Sequence, residues 1–325
     1  MSDASDREID PALQPRPQDV DYDLDRALSA VVALRSRIPE DGMTASLLGT
    51  ERAGHGVLIR DNGLVVTIGY LITEAESVWL VDNNGAAVQA HVVGYDQETG
   101  FGLVQALGRL SVPAIEIGRS SELRAGDSVI LAGSGGRSQA TKGRISAKRE
   151  FAGYWEYVLD EAIFTVPAHP FWGGSGLIDP RGRLAGIGSL YVQQATGGRE
   201  EVAGNMVVPI DLLGTVIDDL LQYGRTRKPP RPWLGMMATE IEDKLVVAGL
   251  VNGGPALSSN LRAGDILMAV NGQPVGDLAD LFRKIWAMGE AGVTVPLTIL
   301  RDGTEMNLRI PSVSRAALLR GPQLH

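Results

Sequence analysis

Residues 211–236 read DLLGTVIDDLLQYGRTRKPPRPWLGM, and the way they divide sets the layout of the chain. The part up to Tyr223 carries apolar residues at helical spacing, and Gly224 is a natural stop, because a residue without Cβ takes the left-handed conformation with which helices close. RTRKPPRP follows, and its prolines hold the backbone extended, so residues 224–230 read as a stiff linker. A linker here leaves room on both sides. The 325 residues, 44% hydrophobic and 21% charged, are enough for two domains with buried cores.

Upstream, short β-branched runs closed by turn dipeptides begin near residue 54: GVLIRDNGLVVTI (56–68), SVWLVDNNGAAVQAHVVGYD (77–96) and DSVILAGSGG (127–136). Asp61-Asn62-Gly63 and Asn83-Asn84-Gly85 are hairpin signals, since Asn and Gly tolerate the positive φ of a tight two-residue turn. Strands at this spacing mean a sandwich or barrels. Before them, DLDRALSAVVALRS (23–36) fits either a helix or a helix leading into a strand. Residues 1–20, rich in Asp and Pro, bury too little to repay ordering and read as a disordered acidic leader. Downstream of the linker, 231–312 forms a second domain with strands, a helix in DLADLFRKIWAMG (277–289) and a last hairpin, VPLTILRDGTEMNLRI (295–310). Residues 313–325 read as a loose tail.

Composition narrows the function. The net charge of −9 argues against a nucleic-acid partner, although eight acids against three arginines in residues 1–26 supply −5 of it. There is no cysteine, hence no thiolate nucleophile and no Cys-based metal site. No apolar run approaches the length of a membrane helix, so no membrane partner is expected. The N-terminus has neither a basic nor an apolar leader region, and the expected location is therefore cytoplasmic. Four histidines show no HExxH-like pairing, so neither a metal nor a cofactor is expected. GSGGRS (133–138) lacks the lysine and the strand–helix context of a phosphate loop. PFWGGSGLID (170–179) sets Ser175 among glycines, as an acyl-transfer site requires and as any tight turn also does. The place two after the serine, glycine in a nucleophile elbow, is Leu177.

The order of GHGVLIRDNGLVVTIGYLI (54–72), VVGYDQETGFGLVQA (92–106), GSGGRSQATKGRISA (133–147), FWGGSGLIDPRGRLAGI (171–187), NMVVPIDLLGTVIDDLLQYGR (205–225) and RPWLGM (231–236) resembles the HtrA-type (Deg) serine proteases over about residues 50–312. The resemblance implies a mainly β chain: a trypsin-like double six-stranded β-barrel over 21–223, the linker, and an α+β PDZ domain over 231–312. It also implies a homo-oligomer, a trimer by family analogy, with Tyr22 and residues 22–35 supplying an N-terminal contact.

The family's chemistry needs a serine, a histidine to take its proton and an aspartate to orient the imidazole. The block threonine-asparagine-x-histidine-valine matches Thr67-Ile68-Gly69-Tyr70-Leu71, which puts Tyr70 in the base's place. The aspartate's place falls on Gly100 in Thr99-Gly100-Phe101-Gly102. Aligned without gaps, the nucleophile's place falls on Gly173 and the oxyanion glycine's on Phe171. Deleting two residues after the serine restores Ser175 as a nominal nucleophile, with His169 as an alternative base from the same loop. Trp233, Leu234, Gly235 and Met236 match the carboxylate-binding loop of the PDZ domain, whose successive N–H groups hold a peptide's C-terminal carboxylate. LRAGDILMAVNGQPV (261–275) matches that domain's core block. The expectation is a proteolytically inactive HtrA-like protein that binds protein segments or C-terminal peptides through its PDZ domain and degenerate protease fold, as an adaptor, scaffold or regulatory subunit. The alternatives are a serine endopeptidase with a non-standard site using Ser175, and a structural subunit of a larger complex.

Overall fold

A computed structural model describes residues 8–196 and 201–320. They form two compact units: one takes in residues up to 149 together with 161–226, the other residues 150–160 with 227–320.

In the first unit, β1 (Val31–Arg37), β2 (Glu51–Arg60), β3 (Leu64–Ile68), β4 (Ser77–Val81), β5 (Ala87–Tyr95) and β6 (Phe101–Ala106) close an antiparallel barrel in the order β1-β2-β3-β6-β5-β4. A second barrel, β10-β11-β12-β9-β8-β7, is built from β7 (Ser128–Ala132), β8 (Ala140–Gly153), β9 (Tyr157–Val166), β10 (Gly176–Ile178), β11 (Leu184–Val192) and β12 (Gly204–Pro209). Closure removes free strand edges, and the second interior is filled by Leu123, Val129, Leu131, Ile145, Ile163, Leu177, Ala185 and Val207. Both Asn-Gly pairs lie in turns between paired strands, but in loops 61–63 and 82–86 instead of two-residue turns, and only the glycines take positive φ, Gly63 at +91° and Gly85 at +84°. Ahead of β1 the chain is a helix leading into a strand: Leu24–Ser29 is helical, and Asp23 caps it by accepting from the Arg26 N–H at 3.0 Å.

The segment before the linker is interrupted. Ile210–Thr215 is a 3₁₀ helix and Ile217–Tyr223 an α-helix, broken at Val216, where Gly214, Thr215 and Val216 supply poor helix formers in a row. Gly224 closes it at φ +69°, and a Cβ on Gly94 of β5 would lie 2.4 Å from the Gly224 carbonyl oxygen.

Residues 1–7 of the expected leader lie outside the described residues, but 8–20 hold defined positions. Ile9 is buried, the Leu13 carbonyl accepts from the Lys142 N–H at 2.8 Å, and Pro17–Asp19 is a 3₁₀ turn. A low apolar content gave no sign of this backbone hydrogen bond to a strand. Tyr22 packs on Gly182, whose Cβ would lie 2.6 Å from its ring.

In the second unit, β13 (Met236–Ile241), β14 (Lys244–Leu250), β15 (Ile266–Val270), β17 (Thr294–Arg301) and β18 (Thr304–Pro311) form a sheet in the order β13-β14-β15-β17-β18, with β16 (Gln273–Pro274) on β15. The helix Leu278–Trp286 presents Leu278, Ala279, Leu281, Phe282 and Ile285 to the core, and Asp277 caps it by accepting from the Asp280 N–H. Its core also includes Val158, from the tip of the β8–β9 hairpin. Of the expected tail, Val313 bridges Trp233 through two 3.1 Å backbone hydrogen bonds and Arg315–Ala317 is a 3₁₀ turn. Residues 321–325 lie outside the described residues.

Candidate functional sites

The first candidate lies in the two-barrel unit, where the turn after β3 faces the loop before β10. Tyr70 sits on the 3₁₀ turn Gly69–Leu71. Its hydroxyl donates to the Ser189 carbonyl at 2.8 Å and lies 2.9 Å from the point that a Cβ on Gly173 would occupy. The fold thus brings together the two residues that the resemblance puts in the base's and nucleophile's places, and neither carries an imidazole or an aliphatic alcohol. Burial pushes the Tyr70 phenol above its ordinary range, so it holds its proton at neutral pH and cannot accept one. Gly100 lies in the turn after β5 at φ +85°, a conformation a side-chain-bearing residue takes only under strain. Its carbonyl accepts from the Gly69 N–H at 2.7 Å, so it adjoins the Tyr70 turn while contributing no carboxylate.

Ser175 and His169 are not brought into contact by any hydrogen bond. The Ser175 hydroxyl is fully buried and donates to the Trp172 carbonyl at 2.8 Å, while its own carbonyl accepts from the Gly188 N–H. Both ring nitrogens of His169 are taken by the backbone: Nδ1 accepts from the Phe171 N–H at 3.0 Å, so Nε2 carries the proton and donates to the Gln139 carbonyl at 3.0 Å. Burial lowers its pKa. The Asn205 side chain completes the clamp by accepting from the His169 N–H at 2.6 Å and donating to its carbonyl at 3.2 Å. His55 is likewise held neutral. Desolvation, aided by the neighbouring His169, pushes its pKa down to about 4, and Nδ1 accepts from the Ser134 N–H. Phe171 and Trp172 are half-buried, with Phe171 edge-on to His169 and Trp172 against Tyr191.

The second candidate is the loop that leads into β13. Gly235, at φ +74°, turns the chain so that three successive N–H groups converge, and a Cβ there would meet the Trp233 ring at 2.9 Å. The N–H groups of Leu234, Gly235 and Met236 all donate to the Glu156 carboxylate, at 3.2, 2.8 and 3.2 Å to Oε1. Trp233 is buried and bridges Val313. Glu156 was missed by reading along the chain, since a lone glutamate in GYWEY has no spacing that ties it to a loop about eighty residues away. Among the described residues no group of three His, Asp or Glu side chains is placed to hold a metal, and no helix is long and apolar enough to cross a membrane.

Residues 54–187 match the trypsin-like peptidase domain and residues 232–311 the PDZ domain. A probable periplasmic serine endoprotease, DegP-like, of Pseudomonas putida (strain W619) is 29% identical over 275 residues, covering 79% of this chain and 55% of its own. The serine protease Do-like HtrA of Lactobacillus helveticus is 25% identical over 288 residues, covering 81% and 69%. The chain spans about half the length of the DegP-like relatives it matches. The solved structure of the HtrA-type protease AlgW with tripeptide shares the fold, with a TM-score of 0.51 at 24% identity, covering 92% of this chain and 96% of that one. The relatives named periplasmic overturn the cytoplasmic expectation, because a missing basic and apolar leader does not by itself fix a compartment. The chain is a trypsin-like peptidase domain followed by one PDZ domain, homologous to the DegP/HtrA serine proteases.

Proposed function

We propose that this chain is a proteolytically inactive HtrA-like protein that binds protein segments through its PDZ domain, as an adaptor, scaffold or regulatory subunit. The observation that carries the reading is the approach of Tyr70 to Gly173: in the place the resemblance gives the base stands a protonated phenol, bonded to a carbonyl, whose hydroxyl lies where a side chain on Gly173 would reach. The hydroxyl of Ser175 and both nitrogens of His169 are engaged by backbone groups, which supports the gapless register over an endopeptidase working through Ser175. The PDZ match and the convergent N–H groups of residues 234–236 support a peptide's carboxylate as the ligand, as does a structural relative described with a tripeptide. A periplasmic location and a trimer belong to the same reading, the first from the named location of the relatives and the second from family analogy.

The test is labelling by a fluorophosphonate serine probe together with casein digestion, on wild type and Ser175→Ala, beside an active HtrA-type enzyme. The expected result is neither labelling nor cleavage in either form. Labelling and cleavage that disappear in Ser175→Ala would establish the endopeptidase instead.

A further inference from the structure

The carboxylate loop already holds a carboxylate from its own chain, and the surrounding contacts extend the likeness to a bound peptide. β13 is the edge strand of its sheet, pairing with β14 on one side only. On the free side, the Ala238 N–H donates to the Tyr154 carbonyl at 3.0 Å. N–H groups two residues apart face the same edge of a strand, and Met236 bonds Glu156 while Ala238 bonds Tyr154, again two residues apart. A peptide adding a strand there would follow this register, with its terminal carboxylate in the loop and the carbonyl two residues earlier on Ala238.

The other wall is engaged too. Arg283, on the helix Leu278–Trp286, pairs with Glu150 at 2.5 Å and Asp160 at 2.6 Å, one on each side of the hairpin tip. Val158 enters the core and Ala152 packs on it. The tip is braced by its own rings, Trp155 stacked on Tyr157 at 5.6 Å and edge-on to Tyr154 at 4.9 Å. Glu156 itself takes φ +60°, left-handed backbone that costs a non-glycine residue about 1 kcal/mol or more, so the contacts around it must over-determine that conformation.

Resting on the peptide-binding reading above, we propose that residues 150–160 are a built-in pseudo-ligand of the PDZ groove, and that a peptide's C-terminal carboxylate binds only by displacing Glu156. Burial pushes the Glu156 carboxyl up to about 7, against the pull of the three N–H groups and Arg315. The internal occupant therefore holds its place at a desolvation cost, and a terminal carboxylate can compete for it. Apparent affinity falls by the fraction of molecules in which the tip has left.

Fluorescence polarisation of the full chain tests this, using a labelled pool of decapeptides that end in Val, Ala, Leu or Phe with a free carboxylate, and the same pool amidated. Binding to Glu156→Ala at least about tenfold tighter than to wild type, lost on amidation, with Glu156→Gln between them, is the expected result. Equal affinity in all three proteins overturns the pseudo-ligand while leaving peptide binding standing. If no form binds either pool although near-ultraviolet dichroism shows all three folded, the peptide-binding reading fails and the proposal with it. Should Glu156→Ala lose its fold, Glu156→Gln carries the comparison, because its amide oxygen still accepts from the loop without the charge.

Discussion

The hydroxyl of Tyr70 stands 2.9 Å from where a Cβ on Gly173 would lie, closer than real Cβ atoms approach their neighbours. One residue's bulk is therefore matched to the other's lack of a side chain. Gly173→Ala is expected to cost about 1–3 kcal/mol through overpacking. In a Tyr70→Phe background the same change should cost less, because the atom it strikes is gone. Urea unfolding of the four proteins gives the coupling, and additivity within about 0.5 kcal/mol would show that the two residues do not constrain each other.

Tyr70→Phe alone removes the donor to the Ser189 carbonyl. A loss of about 1–3 kcal/mol is expected, since a half-buried carbonyl forfeits its partner. The midpoint of denaturation should fall at an unchanged slope. No gain of proteolysis should accompany it.

Two glycines with positive φ should respond very differently to alanine. At Gly174, φ is +78° and a Cβ would lie 1.9 Å from the His55 carbonyl oxygen, whereas at Gly136, φ is +71° with open space around it. Gly136→Ala is expected to cost about 1 kcal/mol, the backbone penalty alone. Gly174→Ala should cost more than about 4 kcal/mol, because the obstacle is backbone. Soluble yield and melting temperature separate the two cases.

Stability should carry an acid limb set by His55. Its folded pKa, pushed down to about 4 from 6.5, means that the unfolded chain binds the proton more readily. The stabilisation is full above pH 6.5 and is lost as pH falls towards 4, on the order of 3 kcal/mol. Glu156 acts with the opposite sign, since a carboxyl raised to about 7 favours the folded state as pH falls from 7 towards 4.5. The two are separated by comparing wild type with His55→Asn, which keeps an acceptor for the Ser134 N–H and should flatten only the His55 limb of the melting-temperature profile.

Much of the architecture was legible before the fold. The Asn-Gly turns, the Gly224 stop and the linker prolines act through φ preferences within two or three residues, and the order of blocks carried the likeness to HtrA-type proteases. The assignment of Tyr70, Gly100 and Gly173 to triad places came from that likeness and not from any local pattern, and the serine block by itself admitted a second register through Ser175. The break at Val216 and the ordered contacts of residues 8–20 were not legible, since weak local preferences there yield to packing and to backbone partners far along the chain.

The chain's own order of residues determined where turns and helix stops fall, because turn chemistry and strand alternation are local properties, and its likeness to the HtrA-type proteases supplied the two-barrel and PDZ layout. Tertiary structure alone decided that Ser175 bonds Trp172, that His169 is clamped between Gln139, Phe171 and Asn205, and that Glu156 enters the loop at Leu234, Gly235 and Met236. Where a polar group is spent depends on which distant backbone groups closure leaves unpaired beside it, and no window along the sequence contains both partners.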